Sequence, residues 1–126
     1  MFAAYLSVML VTIAANTFSG GAAVTRFGPV MATLAPAMET AGVPQSWLTF
    51  PIGTLKLAGA AGLLLGVLGV PFVGTAAAIG LVLYFVCAAY THIRVGDYGQ
   101  TFYLAAGVFL PLAVACLVLQ IAAQRV

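Results

Sequence analysis

Long apolar runs alternate with short breaks along the chain, and four of the runs are long enough to cross a membrane. They cover residues of about 2–18, 51–70, 72–93 and 102–122. A membrane-spanning helix needs about 20 apolar residues. The first run could also be a secretory signal peptide, but it lacks the basic residues that open such a peptide. The pattern therefore predicts an all-α integral membrane protein, a four-transmembrane-helix bundle forming a single domain over residues 1–126.

Residues 19–50 differ from these runs, because glycine and proline interrupt them repeatedly. Between the breaks, residues of about 30–41 place apolar side chains on one face, namely Val30, Met31, Leu34 and Met38. This spacing predicts a short membrane-surface helix in the first loop, with Trp47 as an interfacial anchor beyond it. Pro111 falls inside the fourth run, where we expect the helix to be bent or locally loosened.

Small residues recur at four-residue spacing in the second and third runs. They are Ala58, Gly62 and Gly66 in the second run, and Gly74 with Ala78 and Ala76 with Gly80 in the third. Such spacing lets helix backbones approach closely in lipid, where burial from water cannot drive association. The turn between the runs, marked by Pro71, carries no charge. We therefore expect these two helices to form a closely packed antiparallel hairpin.

The composition agrees with a membrane protein. Of the 126 residues, 64% are hydrophobic and 5% are charged, whereas soluble domains carry about 25% charged residues. The net charge is +2 without a basic cluster, which disfavours a nucleic-acid binder as well as a soluble enzyme and a disordered chain. The cysteines, Cys87 and Cys116, lie inside apolar runs without the spacing of a redox pair or a metal site.

Charge is distributed unevenly between the two ends of the predicted bundle. Four spans place both termini on one side, and residues 19–50 with the 94–101 loop on the other, which we call the long-loop end. Five of the six charged residues belong to the long-loop end: Arg26, Glu39, Lys56, Arg94 and Asp97. Only Arg125 lies at the other end. Recognition of any ligand or partner is therefore expected at the long-loop end.

Lys56 lies about five residues into the second span, which leaves two interpretations open. Its long stem can extend to the membrane surface, as lysine stems commonly do. Alternatively it faces the bundle and pairs with a carboxylate or an acidic ligand group, since ionisable residues within spans are functional candidates.

Asn16 and His92 are predicted to lie at the same membrane level as Lys56. With Tyr90, Asp97 and Glu39 nearby, these residues form a candidate ligand- or partner-binding site at the long-loop end. The competing interpretation is that His92 is an ordinary residue at a helix C-terminus, where cations are favoured. One histidine without further ligands predicts no metal site.

Several motifs in the second and third spans resemble the DoxX-like family of small four-helix membrane proteins. They are an I-G-T-x-K/E block (Ile52 to Lys56), a G-A-x-G-L-L-L-G stretch (Gly59 to Gly66), Pro71, and A-x-x-x-H (Ala88 to His92). The resemblance implies a quinone-linked oxidoreductase subunit, a membrane-bound redox complex, or an assembly factor for membrane receptors, according to the relative. Many relatives carry glutamate where Lys56 stands.

The residues contain no catalytic constellation, so we expect an accessory or binding module rather than an enzyme acting alone. It would engage a partner membrane protein, a second copy of itself, or a lipid or small hydrophobic ligand. No cofactor is expected for such a module. The alternative is the membrane subunit of a quinone-linked oxidoreductase complex, in which quinone is a possible cofactor. A transporter is disfavoured, because broken helices at matching positions in two halves are missing. The expected location is the bacterial plasma (inner) membrane.

Overall fold

The fold is built from α-helices and π-helical turns in the computed structural model, which describes residues 2–25, 28–44, 47 and 52–123, apart from the side chains of residues 29–34, 37, 100 and 101. In chain order the helices are α1 (Phe2–Thr25), α2 (Gly28–Ala41), α3 (Thr54–Val67), α4 (Val73–Val95), α5 (Gln100–Leu104) and α6 (Leu110–Ala122). A π-helical segment, Ala105–Phe109, joins α5 to α6.

Three of the apolar stretches are long enough to cross a membrane: Phe2–Thr25, Val73–Val95 and Phe102–Ala122. The fourth predicted span is represented by α3, a shorter apolar helix of 14 residues. The all-helical, membrane-type class predicted from the sequence is therefore confirmed.

Four helices form a ring around one apolar core. Both α1 and α4 pack against α3 and α6. The core side chains are Tyr5, Met9, Leu63, Ala78, Leu81, Phe85, Ala105, Ala113 and Cys116. Large apolar side chains such as Leu10, Leu83 and Ile121 point outward and are exposed. An apolar outer surface of this extent suits a protein surrounded by lipid rather than by water.

The first helix extends further than its sequence suggests. We predicted that it ends near residue 18, because Gly20 and Gly21 read as helix breakers, but α1 continues to Thr25. A Cβ on Gly20 would lie 3.0 Å from the Gly53 carbonyl oxygen and 3.0 Å from the Lys56 Cβ. This glycine therefore permits close packing of α1 on α3 and does not end the helix.

Helices α3 and α4 run antiparallel and approach each other closely. A Cβ on Gly66 would lie 2.7 Å from the Gly74 Cα, and one on Gly62 would lie 2.6 Å from the Ala77 Cβ. The backbones are therefore in direct contact along this line. The other two predicted packing residues, Ala58 and Gly80, do not lie in the contact, and that prediction is wrong for them. Both are exposed and line a shallow groove between the two helices.

The turn between α3 and α4 begins earlier than predicted, at residue 68 rather than after residue 70. Gly69 has a φ of +102°, which ends the helical path, and Phe72 has a φ of 67°. Only glycine adopts such angles without a steric penalty. Side chains in the turn are apolar and exposed, with Leu68 and Phe72 the most accessible. No charge marks this end of the hairpin.

The C-terminus of α4 is closed by a glycine-based cap that fixes the start of the next loop. Gly96 has a φ of +71°, its N–H donates to the Ile93 carbonyl, and the Asp97 N–H donates to the His92 carbonyl. This pair of bonds is the Schellman arrangement. It extends the helix to Val95, two residues beyond our prediction, and holds Asp97 over the last turn of α4.

The π-helical segment accounts for the irregularity predicted at Pro111. Proline donates no hydrogen bond, and its ring collides with the carbonyl four residues earlier, here that of Gly107. The chain accommodates it with a wider turn, in which the Leu110 N–H donates to the carbonyl of Ala105, five residues back. The helix thus continues through the proline without ending.

At the opposite end from the long loops, a buried glutamine joins α6 to α4. The Gln120 Nε2 donates to the Gly74 carbonyl at 3.3 Å, and its Oε1 accepts from Thr75 at 3.5 Å. Cys116, one turn earlier on α6, is buried, whereas Cys87 is exposed, and both are free thiols.

Helix α2 covers the long-loop end of the ring. It begins at Gly28, two residues before its predicted start, and Met38 packs against Ala23 near the end of α1. Its placement along a membrane surface stays a prediction, as does anchoring by the exposed Trp47. Several predictions lie outside the described residues: the placement of Arg26 and Arg125, the start of the second run at residue 51, and the apolar face formed by Val30, Met31 and Leu34.

Candidate functional site

Lys56 points into the bundle and not toward the membrane surface. It is 9% exposed, and its Nζ donates a hydrogen bond of 2.7 Å to Ser19 Oγ on α1. The contact follows from the local sequence, because Gly20 brings the α1 backbone against the first turn of α3, next to Ser19. Of the two interpretations left open by the sequence, the side chain adopts the inward one.

Three aromatic rings surround the Lys56 ammonium group. Its Nζ lies 5.3 Å from the ring centroid of Phe109, 5.7 Å from that of Phe85 and 5.9 Å from that of Tyr84. Phe85 and Phe109 are stacked, with centroids 5.2 Å apart and planes 9° from parallel. A desolvated cation on a ring face gains about 2 kcal/mol or more. The rings therefore offset part of the cost of burying the charge.

No carboxylate neutralises Lys56 within the part of the chain that the structure describes. The ion pair seen there is that of His92 with Asp97. An ammonium group has three N–H donors, and among the described residues only Ser19 supplies an oxygen to it. Lys56 thus combines burial, positive charge and unused hydrogen-bonding capacity.

His92 and Asp97 form a second polar group, nearer the long-loop end. His92 Nδ1 lies 3.3 Å from Asp97 Oδ2, at ion-pair distance but without the alignment of a hydrogen bond. Asp97 Oδ1 accepts the Gly99 N–H at 3.2 Å, which orients the carboxylate. The His92 ring packs edge-on against Phe102. His92 is 8% exposed and lies in the last turn of α4, so the structure agrees with both interpretations of this residue.

Asn16 lies in the interior of the ring, one turn from Ser19 along α1. It is fully buried, and its Nδ2 donates to the Thr12 carbonyl at 3.0 Å. Its Oδ1 has no hydrogen-bond partner among the described residues. One turn further, the Thr12 hydroxyl donates a hydrogen bond to the Val8 carbonyl and accepts one from the Cys116 thiol, whose Sγ lies 3.2 Å from Thr12 Oγ1. Buried polar groups thus continue from Lys56 toward the middle of the bundle.

The six predicted site residues do not all come together. Lys56, Asn16, His92 and Asp97 are buried or half-buried in the bundle or at its long-loop end. Tyr90 and Glu39 are exposed and do not join the buried group, so their part in binding a ligand or partner stays a prediction. Tyr90 is 65% exposed on the outer face of α4, and Glu39 is exposed near the end of α2.

Sequence reasoning missed four residues that complete the Lys56 environment: Ser19, Tyr84, Phe85 and Phe109. A signal existed for two of them. Ser19 follows Asn16 by one helical turn, and Tyr84 places a hydroxyl in the middle of an apolar span. Phe85 and Phe109 gave no signal, because the sequence does not distinguish a phenylalanine that faces lipid from one that faces the core.

The described residues contain no group of three or more His, Cys, Asp or Glu side chains that could hold a metal ion. The chemistry available at Lys56 is therefore that of a hydrogen-bond donor and a positive charge in an aromatic enclosure. Such an arrangement binds acceptor oxygens.

Fold and site together define a helical membrane protein with a buried lysine site inside its bundle. The chain belongs to the DoxX-like family, whose pattern it matches over residues 7–122. This confirms the resemblance inferred from the motifs of the second and third spans. Comparison with curated proteins gives no match, and comparison with solved structures gives none either.

Proposed function

We propose that this DoxX-like membrane protein is a non-catalytic binding module that holds a lipid or small hydrophobic molecule through the Lys56 ammonium group. The observation that carries the proposal is the buried Lys56, which has one oxygen partner and no acidic partner among the described residues. Burying a charge without full compensation is unfavourable. A ligand that brings an acceptor oxygen to Nζ would remove part of that cost on binding.

A small ligand group suits this site better than a protein surface. Lys56 is enclosed by side chains from α1, α4 and the π-helical segment, namely Ser19, Tyr84, Phe85 and Phe109. We infer that a head group carried on a narrow apolar molecule would suit such a position better than a protein surface does. Binding to a partner membrane protein or to a second copy remains compatible with the outer faces of the bundle.

A specific observation also favours the second candidate, the membrane subunit of a quinone-linked oxidoreductase. A planar head group with carbonyl acceptors requires flat aromatic surfaces and a hydrogen-bond donor. The stacked rings of Phe85 and Phe109 beside the Lys56 ammonium group supply both. Since the chain carries no flavin or iron–sulfur motif, electrons would reach such a quinone from a partner subunit. Binding of a quinone analogue that is lost with Lys56 would favour this candidate.

Replacing Lys56 with leucine is expected to reduce the lipid retained after mild detergent extraction to about a tenth, because a charge-assisted hydrogen bond contributes about 1.5–3 kcal/mol. Quantitative mass spectrometry of the lipid fraction measures the effect. Arg94→Gln removes the same charge from an exposed position of α4 and serves as the matched control. Equal lipid content in the two variants and the unmodified chain would contradict the proposal.

We also propose that α3 crosses the membrane together with the other three helices, giving four spans in the bacterial inner membrane. Support comes from the packing of α3 against both α1 and α4 and from the apolar residues beyond its ends. Four spans place both termini on one side. Reporter fusions at the two termini are expected to give the same compartment, and opposite compartments would exclude the four-span arrangement.

A further inference from the structure

Asn16 presents an acceptor that the protein itself leaves unused. Its amide cannot be turned around, because Nδ2 faces the Thr12 carbonyl at 3.0 Å and a carbonyl only accepts hydrogen bonds. Oδ1 is therefore fixed on the other side of the amide, fully buried and without a partner among the described residues. A buried acceptor without a donor is unfavourable by more than a typical hydrogen bond contributes.

Asn16 Oδ1 and the unused N–H donors of Lys56 lie at neighbouring turns of the contact between α1 and α3. Lys56 Nζ is bonded to Ser19, three residues beyond Asn16, a rise of about 4.5 Å along the helix axis. Asn16 and Gly20 share a helix face, and Gly20 contacts Lys56 directly. A hydroxyl group held between these two turns can form a hydrogen bond of about 2.8 Å on each side.

We propose that Asn16 and Lys56 together form a two-point site for the hydroxyl group of an apolar molecule. The hydroxyl oxygen accepts a hydrogen bond from Lys56 Nζ, and its proton is donated to Asn16 Oδ1. This inference rests on the proposed function and narrows it, because it specifies a head group that both accepts and donates. A carboxylate or an ether accepts only, and it would leave Asn16 Oδ1 unpaired.

Three probes with the same twelve-carbon chain separate these chemistries: dodecan-1-ol, its methyl ether and dodecanoate. Their retention by the purified full chain in mild detergent is measured by native mass spectrometry. We expect the unmodified protein to retain the alcohol about tenfold more tightly than the ether, the difference made by one hydrogen bond to a buried acceptor. This comparison needs no substitution, so it is decisive even where a variant folds poorly.

Two variants assign the preference to Asn16. Asn16→Leu is expected to lower retention of the alcohol to that of the ether. Thr12→Val, which removes a buried hydroxyl one turn away, keeps the alcohol preference. Equal retention of alcohol and ether by the unmodified chain, as expected if only water bridges the two residues, would overturn the inference. So would an alcohol preference that survives in Asn16→Leu.

The same measurements separate failure of this inference from failure of the proposed function. If Lys56→Leu weakens retention of all three probes without an alcohol preference in the unmodified chain, the lysine site stands and the two-point site is wrong. If Lys56→Leu leaves every probe unaffected, the proposed function itself fails, and the two-point site fails with it.

Discussion

Replacing Gly66 with alanine is expected to lower the free energy of unfolding by about 1–3 kcal/mol, the usual range for overpacking a close contact. The added Cβ would lie 2.7 Å from the Gly74 Cα and 3.2 Å from the Gly74 nitrogen. Because both are backbone atoms, no side chain can rotate away, and α3 and α4 must separate. SDS titration of the detergent-solubilised protein, followed by fluorescence of its single tryptophan, measures the loss.

Gly80→Ala provides the matched control on the same pair of helices. A Cβ at Gly80 would meet no atom within 4 Å, and alanine favours the helix over glycine by about 1 kcal/mol. We therefore expect no loss of stability from this substitution. If Gly66→Ala were as well tolerated as Gly80→Ala, the direct backbone contact between α3 and α4 would be disproved.

Lys56→Glu is expected to destabilise the bundle by about 3–5 kcal/mol, the range for an uncompensated buried charge. The ring faces of Tyr84, Phe85 and Phe109 that attract the ammonium group carry the negative part of the aromatic quadrupole. A carboxylate at the same place is repelled by those ring faces. It also cannot donate the hydrogen bond that Lys56 donates to Ser19. The same SDS titration measures the change.

Two further variants separate the effect of charge sign from that of shape. Lys56→Met keeps most of the stem and removes the charge, and we expect it to be less harmful than Lys56→Glu. Arg94→Glu reverses a charge at an exposed position and should change stability by less than 1 kcal/mol, as is usual at surfaces. A Lys56→Glu protein as stable as Lys56→Met would show that the rings do not face the charge.

Much of the fold is predictable from the sequence because it depends on apolar length and on spacing. The predicted bounds of α4 and of the stretch Phe102–Ala122 agree with the structure to within about two residues. The errors fall where one residue type serves two purposes. Gly20 reads as a helix breaker, yet its missing side chain is used for packing against Lys56. Gly80 reads as a packing residue, yet it opens a groove.

The level of the candidate site along the bundle was predictable from the sequence, but the direction in which its side chains point was not. Counting residues from the span ends placed Asn16 and Lys56 near one level, as the bond from Lys56 to Ser19 requires. Helices that are apolar on all sides give no amphipathic signal for their rotation. The sequence therefore could not decide that Lys56 faces inward or that Tyr90 faces outward. Nor could the sequence predict that Phe109 contacts Lys56, because that contact depends on how the π-helical segment turns the chain.

The shortness of α3 has a consequence for the lipids around the protein. Its 14 residues measure about 21 Å along the axis, whereas the hydrocarbon layer of a bilayer is about 30 Å thick. The neighbouring α4, with 23 residues, is long enough to match that layer. In the proposed four-span arrangement, a helix shorter than the hydrocarbon layer is accommodated by thinning of the bilayer on the α3 flank of the bundle. Such thinning would bring lipid head groups closer to the depth at which Lys56 lies.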